Sequence, residues 1–139
     1  MKIKGEKVLF YSLFLISDFF HFFPGFSQTF TDPRFAKDFL KHRNYRAAIP
    51  ELEKLIKQEP DDPENYHHLG VCYLRTNIDK SKAIHPLERA VKFAKVEPEA
   101  FFDLGYAYQL NYKFDDAIKM YKKYKPLEED ISKAAKADR

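Results

Sequence analysis

Few side chains in this 139-residue sequence could do chemistry, and their spacing does not assemble a catalytic or metal site. Two of the five histidines, His67 and His68, are adjacent. Adjacent residues on a helix point about 100° apart, so this pair cannot chelate one metal ion as histidines at i and i+4 do. We therefore interpret the histidines as polar surface and groove residues and predict no metal site.

The single cysteine and the paired carboxylates are also interpreted as structural. Cys72 cannot form an internal disulfide, and it occupies a repeat position that Ala107 holds further along, which favours a buried, inert thiol. The aspartate pairs at 61–62 and 115–116 are typical of helix starts. No glycine-rich phosphate loop and no G-x-S-x-G motif occurs. The sequence thus predicts no catalytic residue, no cofactor and no small-molecule substrate.

The composition, 45% hydrophobic and 32% charged residues, is typical of a globular protein rather than a disordered one. The formal net charge is +3, and the basic residues are interspersed with Asp and Glu. Because a nucleic-acid interface requires clustered basic residues, we expect no nucleic acid among the partners.

The elements that position these residues come from an internal repeat. Residues 63–73 (PENYHHLGVCY) align with residues 98–108 (PEAFFDLGYAY), and the Ala-Ile pair at 48–49 recurs at 83–84 and 117–118. Within each unit the apolar residues follow i, i+4, i+7 spacing, which indicates one face of a helix. No long segment alternates with period two. We therefore predict an all-α structure.

Two glycines, Gly70 and Gly105, fall in the middle of predicted helices, where glycine costs about 1 kcal/mol relative to alanine. A helix tolerates this cost where another element must approach closely. We expect the small residues Ala48, Ala83 and Ala117 of the second helices to face this contact.

The repeat resembles the tetratricopeptide repeat (TPR). The matching positions of the second unit are Tyr66, Leu69, Gly70, Tyr73, Ala83, Leu87 and Ala90. Those of the third unit are Phe101, Leu104, Gly105, Tyr108, Ala117, Tyr121 and Tyr124. We assign the three tyrosines of this unit to the core.

The resemblance implies a protein-binding, right-handed solenoid of about three helix pairs, at residues 29–62, 63–97 and 98–131. Pro126 is predicted to break the last helix, so that a partial capping helix follows it.

Residues 1–27 are predicted to be a signal peptide, followed by a TPR domain at 28–139. A short basic start precedes an apolar run at 8–16, and Gly25 and Ser27 fit the −3 and −1 positions of a cleavage site before Gln28. The alternative is an uncleaved membrane anchor, which Asp18 and Pro24 disfavour because both lie inside the window that would span the bilayer. We therefore expect an exported protein, periplasmic or associated with the outer membrane.

A closer similarity covers residues 69–125, notably the segments 70–74, 77–84 and 110–118. They are similar to the TPR module that opens a group of bacterial envelope proteins and is followed there by a β-propeller and an OmpA-like domain. The resemblance implies an envelope scaffold, some relatives of which serve secretion or gliding machinery. Any contact with membrane or peptidoglycan would then run through a partner or through domains missing from this sequence.

In TPR solenoids the first helix of each pair lines a concave groove. The resemblance places these residues there: Lys37, Leu40 and Lys41; Glu64, His67, Val71, Leu74 and Arg75; Glu99, Phe102, Tyr106, Gln109 and Leu110. The apolar members are expected to form an exposed stripe that binds a partner protein. Alternatively, they pack under a neighbouring helix or under the N-terminal segment. The carboxylate clamp of chaperone-binding TPRs is not expected, because His67 and Val71 occupy its positions.

Two other functions fit the same sequence. One is an intracellular or membrane-anchored TPR adaptor. The other is a truncated, self-associating module that closes its open C-terminal edge against a second copy.

Overall fold

The computed structural model describes residues 31–137, which form six α-helices and one 3₁₀ helix and contain no strand. The signal-peptide, anchor and cleavage predictions lie outside the described residues. The helices are α1 (Pro33–Lys41), α2 (Tyr45–Gln58), α3 (Pro63–Arg75), the 3₁₀ helix (Lys80–Ala83), α4 (Ile84–Ala90), α5 (Glu99–Leu110) and α6 (Phe114–Ala137).

The helices pack as three successive pairs, α1 with α2, α3 with α4, and α5 with α6. Adjacent pairs are joined because α3 packs on α2, α5 packs on α4, and α3 also contacts α5. The core consists of two apolar clusters. One contains Ala36, Leu52 and Leu69, from the first pair and α3, and the other contains Leu87 and Leu104, from the second pair and α5. This arrangement confirms the predicted all-α TPR solenoid.

Acidic side chains begin several helices, as the sequence predicts for the aspartate pairs. Asp62 precedes α3 and accepts a hydrogen bond from the backbone N–H of Glu64 at 2.9 Å. Asp79 accepts from the N–H of Ser81 at the same distance before the 3₁₀ helix. The pair at 115–116 lies in the first turn of α6. These carboxylates satisfy or complement the free N–H groups of a helix start, so they have a structural role.

The two helical glycines make close contacts with large side chains of the second helices. A Cβ atom at Gly70 would lie 2.4 Å from Cγ of Leu87, and one at Gly105 would lie 2.6 Å from Cε1 of Tyr121. The atoms nearest to each glycine thus belong to a large side chain rather than to Ala83 or Ala117. Each glycine instead admits the large side chain that stands one helical turn beyond the alanine.

Pro126 does not break the last helix, so the prediction of a separate capping helix after it is wrong. The capping segment is helical, but it is the second half of α6. A proline inside a helix removes the N–H that would bond the carbonyl four residues back. Here that carbonyl belongs to the exposed Lys122, where water can replace the lost donor. The same holds for exposed Pro50 in α2, opposite Arg46.

The turns that end α1 and α5 both place a non-glycine residue in the left-handed region. Arg43 has φ 56° and Tyr112 has φ 60°. Arg43 N–H donates to the carbonyl of Leu40 at 3.0 Å, and Asn44 N–H donates to that of Phe39 at 2.8 Å. The turn at Tyr112 repeats both bonds at 3.1 and 2.9 Å. This is the Schellman pattern of helix termination, which normally uses glycine at the left-handed position.

Arg43→Gly is expected to stabilise the domain by about 1 kcal/mol, because it removes the steric cost of a side chain at positive φ. Thermal unfolding should show a midpoint several degrees higher. The neighbouring His42, at φ −87°, supplies the control, since His42→Gly is expected to lower the midpoint. A fall with Arg43→Gly would contradict this account of the turn.

A candidate protein-binding groove on the first helices

The groove is defined here as the surface formed by α1, α3 and α5, the first helix of each pair. Lys37, Lys41, Arg75 and Gln109 are exposed, and His67 and Val71 are half-buried. The apolar residues at its third-repeat end are open to solvent, at 45% for Phe102, 41% for Tyr106 and 37% for Leu110. The structure therefore makes most of the predicted groove residues available, with the apolar ones concentrated on α5.

Leu74 is the exception. It is 7% exposed and lies in the core cluster with Leu87, Leu104 and Ala107. Its assignment to the exposed stripe is wrong, because α5 of the next pair packs over this position. Gln109 occupies the equivalent position of α5 and stays exposed. The same repeat position is thus buried in one unit and open in the next.

An aromatic cluster supports the exposed side chain of Phe102. Its ring centroid lies 5.6 Å from that of Tyr121 and 5.5 Å from that of Tyr124, both in tilted contact. The hydroxyl of Tyr121 donates to Oε1 of Gln109 at 2.9 Å. The sequence assigned both tyrosines to the core, and the structure shows them half-buried on α6, in contact with the groove residue Phe102. Aromatic pairs of this kind fix a side chain in place before a partner arrives.

A histidine–carboxylate contact crosses the groove floor from α3 to α5. Nε2 of His67 lies 2.8 Å from Oδ2 of Asp103, and both side chains are largely buried. The ring of His67 also stacks on that of His68, with centroids 6.1 Å apart. Burial lowers the pKa of His68. Sequence reasoning missed Asp103, because no motif predicts a contact between side chains 36 residues apart.

The charges of the groove are arranged by helix polarity. Glu64 and Glu99 lie in the first turns of α3 and α5, and Lys41 and Arg75 lie in the last turns of α1 and α3. Each charge complements the dipole of its own helix. The groove therefore has an acidic rim and a basic rim, and the exposed apolar side chains of its floor lie on α5.

The chemistry available within residues 31–137 is limited. Cys72 is buried, as predicted, and burial raises the pKa of its thiol to about 12, so the thiol stays protonated and unreactive at neutral pH. No group of three or more His, Cys, Asp or Glu side chains in this range could hold a metal ion. None of the described helices is long and apolar enough to cross a bilayer.

Comparison with known proteins agrees with this architecture. A crystal structure of MamA is 29% identical and has a TM-score of 0.59, covering 64% of this chain and 52% of that one. A structure of the MamA RS-1 ArsTM double mutant is 26% identical with a TM-score of 0.63, covering 70% of this chain and 54% of that one. This chain thus spans about half the length of either MamA chain. No curated protein matches it.

The family described as anaphase-promoting complex, cyclosome, subunit 3, matches residues 41–124. That range runs from the end of α1 through the first half of α6 and contains both complete copies of the repeat signature. More than half of the chain is matched, and the helix pairing is that of a tetratricopeptide solenoid. The chain therefore belongs to this TPR-type family.

Proposed function

We propose that this chain is a protein-interaction scaffold that captures a segment of a partner protein in the groove, with Phe102 and Tyr106 as the main anchors. The family and the fold support the scaffold role, since TPR solenoids typically bind proteins rather than catalyse reactions. The observation that carries the specific site is the pair of aromatic side chains exposed on α5. Exposed aromatic patches commonly mark binding surfaces, and aromatic anchors contribute most of the binding energy.

The groove favours a segment with apolar side chains flanked by charges of both signs. Its floor offers Phe102, Tyr106 and Leu110, and its rims carry carboxylates on one side and basic groups on the other. An extended or helical segment with a basic edge facing Glu64 and Glu99 and an acidic edge facing Lys41 and Arg75 would match both rims. Lys37 and Lys41 extend the basic character of the groove onto the first pair.

We further propose that the scaffold acts in the bacterial cell envelope, within a secretion-associated or gliding-associated assembly. Support comes from the basic, apolar and small-residue pattern of residues 1–27 and from the resemblance of residues 69–125 to envelope TPR modules. The name of the matched family, a subunit of a complex, accords with a role inside a larger assembly. Recovery of mature protein that begins at Gln28 would support export. An intact Met1 would favour the membrane-anchored or intracellular adaptor.

Partner capture from host extract by the wild-type chain and by the double variant Phe102→Ala/Tyr106→Ala tests the groove. We expect the double variant to lose the specific partner, with affinity at least about tenfold weaker. Phe35→Ala is the matched control, since Phe35 is also an exposed aromatic residue but lies on α1 away from the groove floor. Equal capture by all three proteins would overturn the proposal.

A further inference from the structure

The two internal junctions between repeats share a hydrogen bond that the TPR signature does not include. The hydroxyl of Tyr73 on α3 donates to Oε1 of Glu53 on α2 at 3.1 Å. The hydroxyl of Tyr108 on α5 donates to Oε1 of Glu88 on α4 at 2.7 Å. Burial and the bond to Glu88 raise the pKa of Tyr108, so its hydroxyl stays a donor. A Tyr–Glu hydrogen bond thus joins α3 to α2 and α5 to α4, that is, the first helix of a pair to the second helix of the preceding pair.

An isoleucine one helical turn before each glutamate is buried or half-buried at the same junctions. Ile49 is 8% exposed and shares a core cluster with Leu69 of α3, and Ile84 packs on the cluster that contains Leu104 of α5. In both cases the covering element is a helix that lies along the second helix of the preceding pair. Both junctions therefore show that the element that packs on this face of a second helix is another helix.

The equivalent face of α6 repeats the isoleucine but carries the opposite charge at the glutamate position. Ile118 takes the isoleucine position and is 49% exposed, and Lys122 takes the position of the two glutamates. Phe114 and Lys125 extend the same stripe at helical spacing, and both are exposed. Among the described residues, nothing pairs with Lys122 or covers Ile118. We call this stripe of four residues the α6 edge.

We propose that the α6 edge is a second docking surface, separate from the groove, which binds an amphipathic helix of a partner protein that places a carboxylate opposite Lys122. A helix is the expected occupant because α3 and α5 cover the equivalent faces. A carboxylate is expected at the position of Tyr73 and Tyr108, because the ammonium group of Lys122 only donates hydrogen bonds and a carboxylate oxygen is a stronger acceptor for it than a tyrosine hydroxyl.

Charge argues against a second copy of this chain as the occupant. The exposed first helix of the chain is α1, whose sequence PRFAKDFLK has three basic residues and one acidic residue. At the position of the two tyrosines it carries Phe39. Stacking α1 of one copy on the α6 edge of another would bring like charges together and leave Lys122 without a carboxylate. The proposed partner is therefore a different protein with an acidic helix.

Helix-constrained synthetic peptides test the proposal, with α5 as the template because it covers the face equivalent to the α6 edge. Three peptides span residues 98–111 and carry the native Tyr108, Tyr108→Glu or Tyr108→Lys. Their binding to the purified chain is measured by fluorescence anisotropy at low ionic strength. We expect the Tyr108→Glu peptide to bind about tenfold more tightly than the Tyr108→Lys peptide. Against a Lys122→Glu chain that order should reverse, and the native Tyr peptide should gain affinity.

Two chain variants separate this surface from the groove. Ile118→Glu should lower the affinity of every peptide, whereas Phe102→Ala should leave all affinities unchanged. The proposal for the α6 edge and the proposal for the groove are therefore tested independently. Peptide affinities that ignore the charge at residue 108, or no binding of any peptide, would overturn the proposal. It would also be overturned by self-association of the chain in sedimentation experiments that Ile118→Glu abolishes, since that would make a second copy the occupant.

Discussion

Leu74→Glu is expected to destabilise the repeat domain, with a loss of about 4 kcal/mol or more in the free energy of unfolding. The side chain of Leu74 is surrounded by Leu87, Leu104 and Ala107 between the second and third pairs. A carboxylate placed there would lose its hydration without gaining a partner. A domain of this size has a total stability of about 5–15 kcal/mol, so the substitution removes a large part of it, and the midpoint of thermal unfolding followed by circular dichroism should fall by about 15–30 °C.

Gln109→Glu is the matched control, because Gln109 occupies the same repeat position but is exposed. A glutamate there can still accept the hydrogen bond from the Tyr121 hydroxyl. We expect the stability of this variant to stay within about 0.5 kcal/mol of the wild type. If Leu74→Glu were equally harmless, Leu74 would belong to the open groove after all, and the packing of α5 over α3 would be wrong.

Gly70→Ala is expected to destabilise the domain by about 2 kcal/mol, although alanine is the better helix former. The new methyl group would lie 2.4 Å from Cγ and 2.7 Å from Cδ2 of Leu87, a fully buried side chain that cannot swing away. Overpacking of this kind typically costs about 1–3 kcal/mol and outweighs the helix-propensity gain of about 1 kcal/mol. Chemical denaturation of the variant and the wild type measures the difference.

Gly105→Ala should have a smaller effect on stability, because the atoms it would meet belong to the half-exposed ring of Tyr121, which can rotate toward solvent. That rotation would withdraw support from Phe102 and weaken partner capture.

The double variant Gly70→Ala/Leu87→Ala should lose less free energy of unfolding than the sum of the losses in the two single variants. The reason is that the smaller side chain at residue 87 leaves room for the methyl group at residue 70. Strictly additive losses would contradict the direct contact between Gly70 and Leu87.

The fold was largely predictable because a repeated sequence contains the pattern of the same helix pair several times. Two aligned copies were enough to predict the pairs, the helix starts at Asp62 and at residues 115–116, and the burial of Cys72. What the repeat does not encode is the difference between units. Leu74 and Gln109 share a position, yet only Leu74 is covered by a following helix.

The other errors arose where a local rule depends on the surroundings. A proline usually ends a helix, but Pro126 lies on a solvent-exposed stretch where water can satisfy the freed carbonyl. The glycine positions correctly indicated close approach, but the identity of the approaching side chain depends on how the helices cross. The contact of His67 with Asp103 likewise arises only when two repeats are assembled. The spacing of apolar residues along a helix was therefore predictable, whereas contacts between helices and the effect of solvent exposure were not.

Photo-crosslinking in the host cell tests most directly whether the groove holds a partner protein. A photoreactive phenylalanine analogue replaces Phe102 in one strain and Phe35 in another, both exposed aromatic positions of the repeat domain. We predict a discrete crosslinked species from position 102 that is absent from position 35 and that the Tyr106→Ala substitution weakens. Identical crosslinks from both positions, or none from position 102, would contradict the proposal that the groove is the binding site.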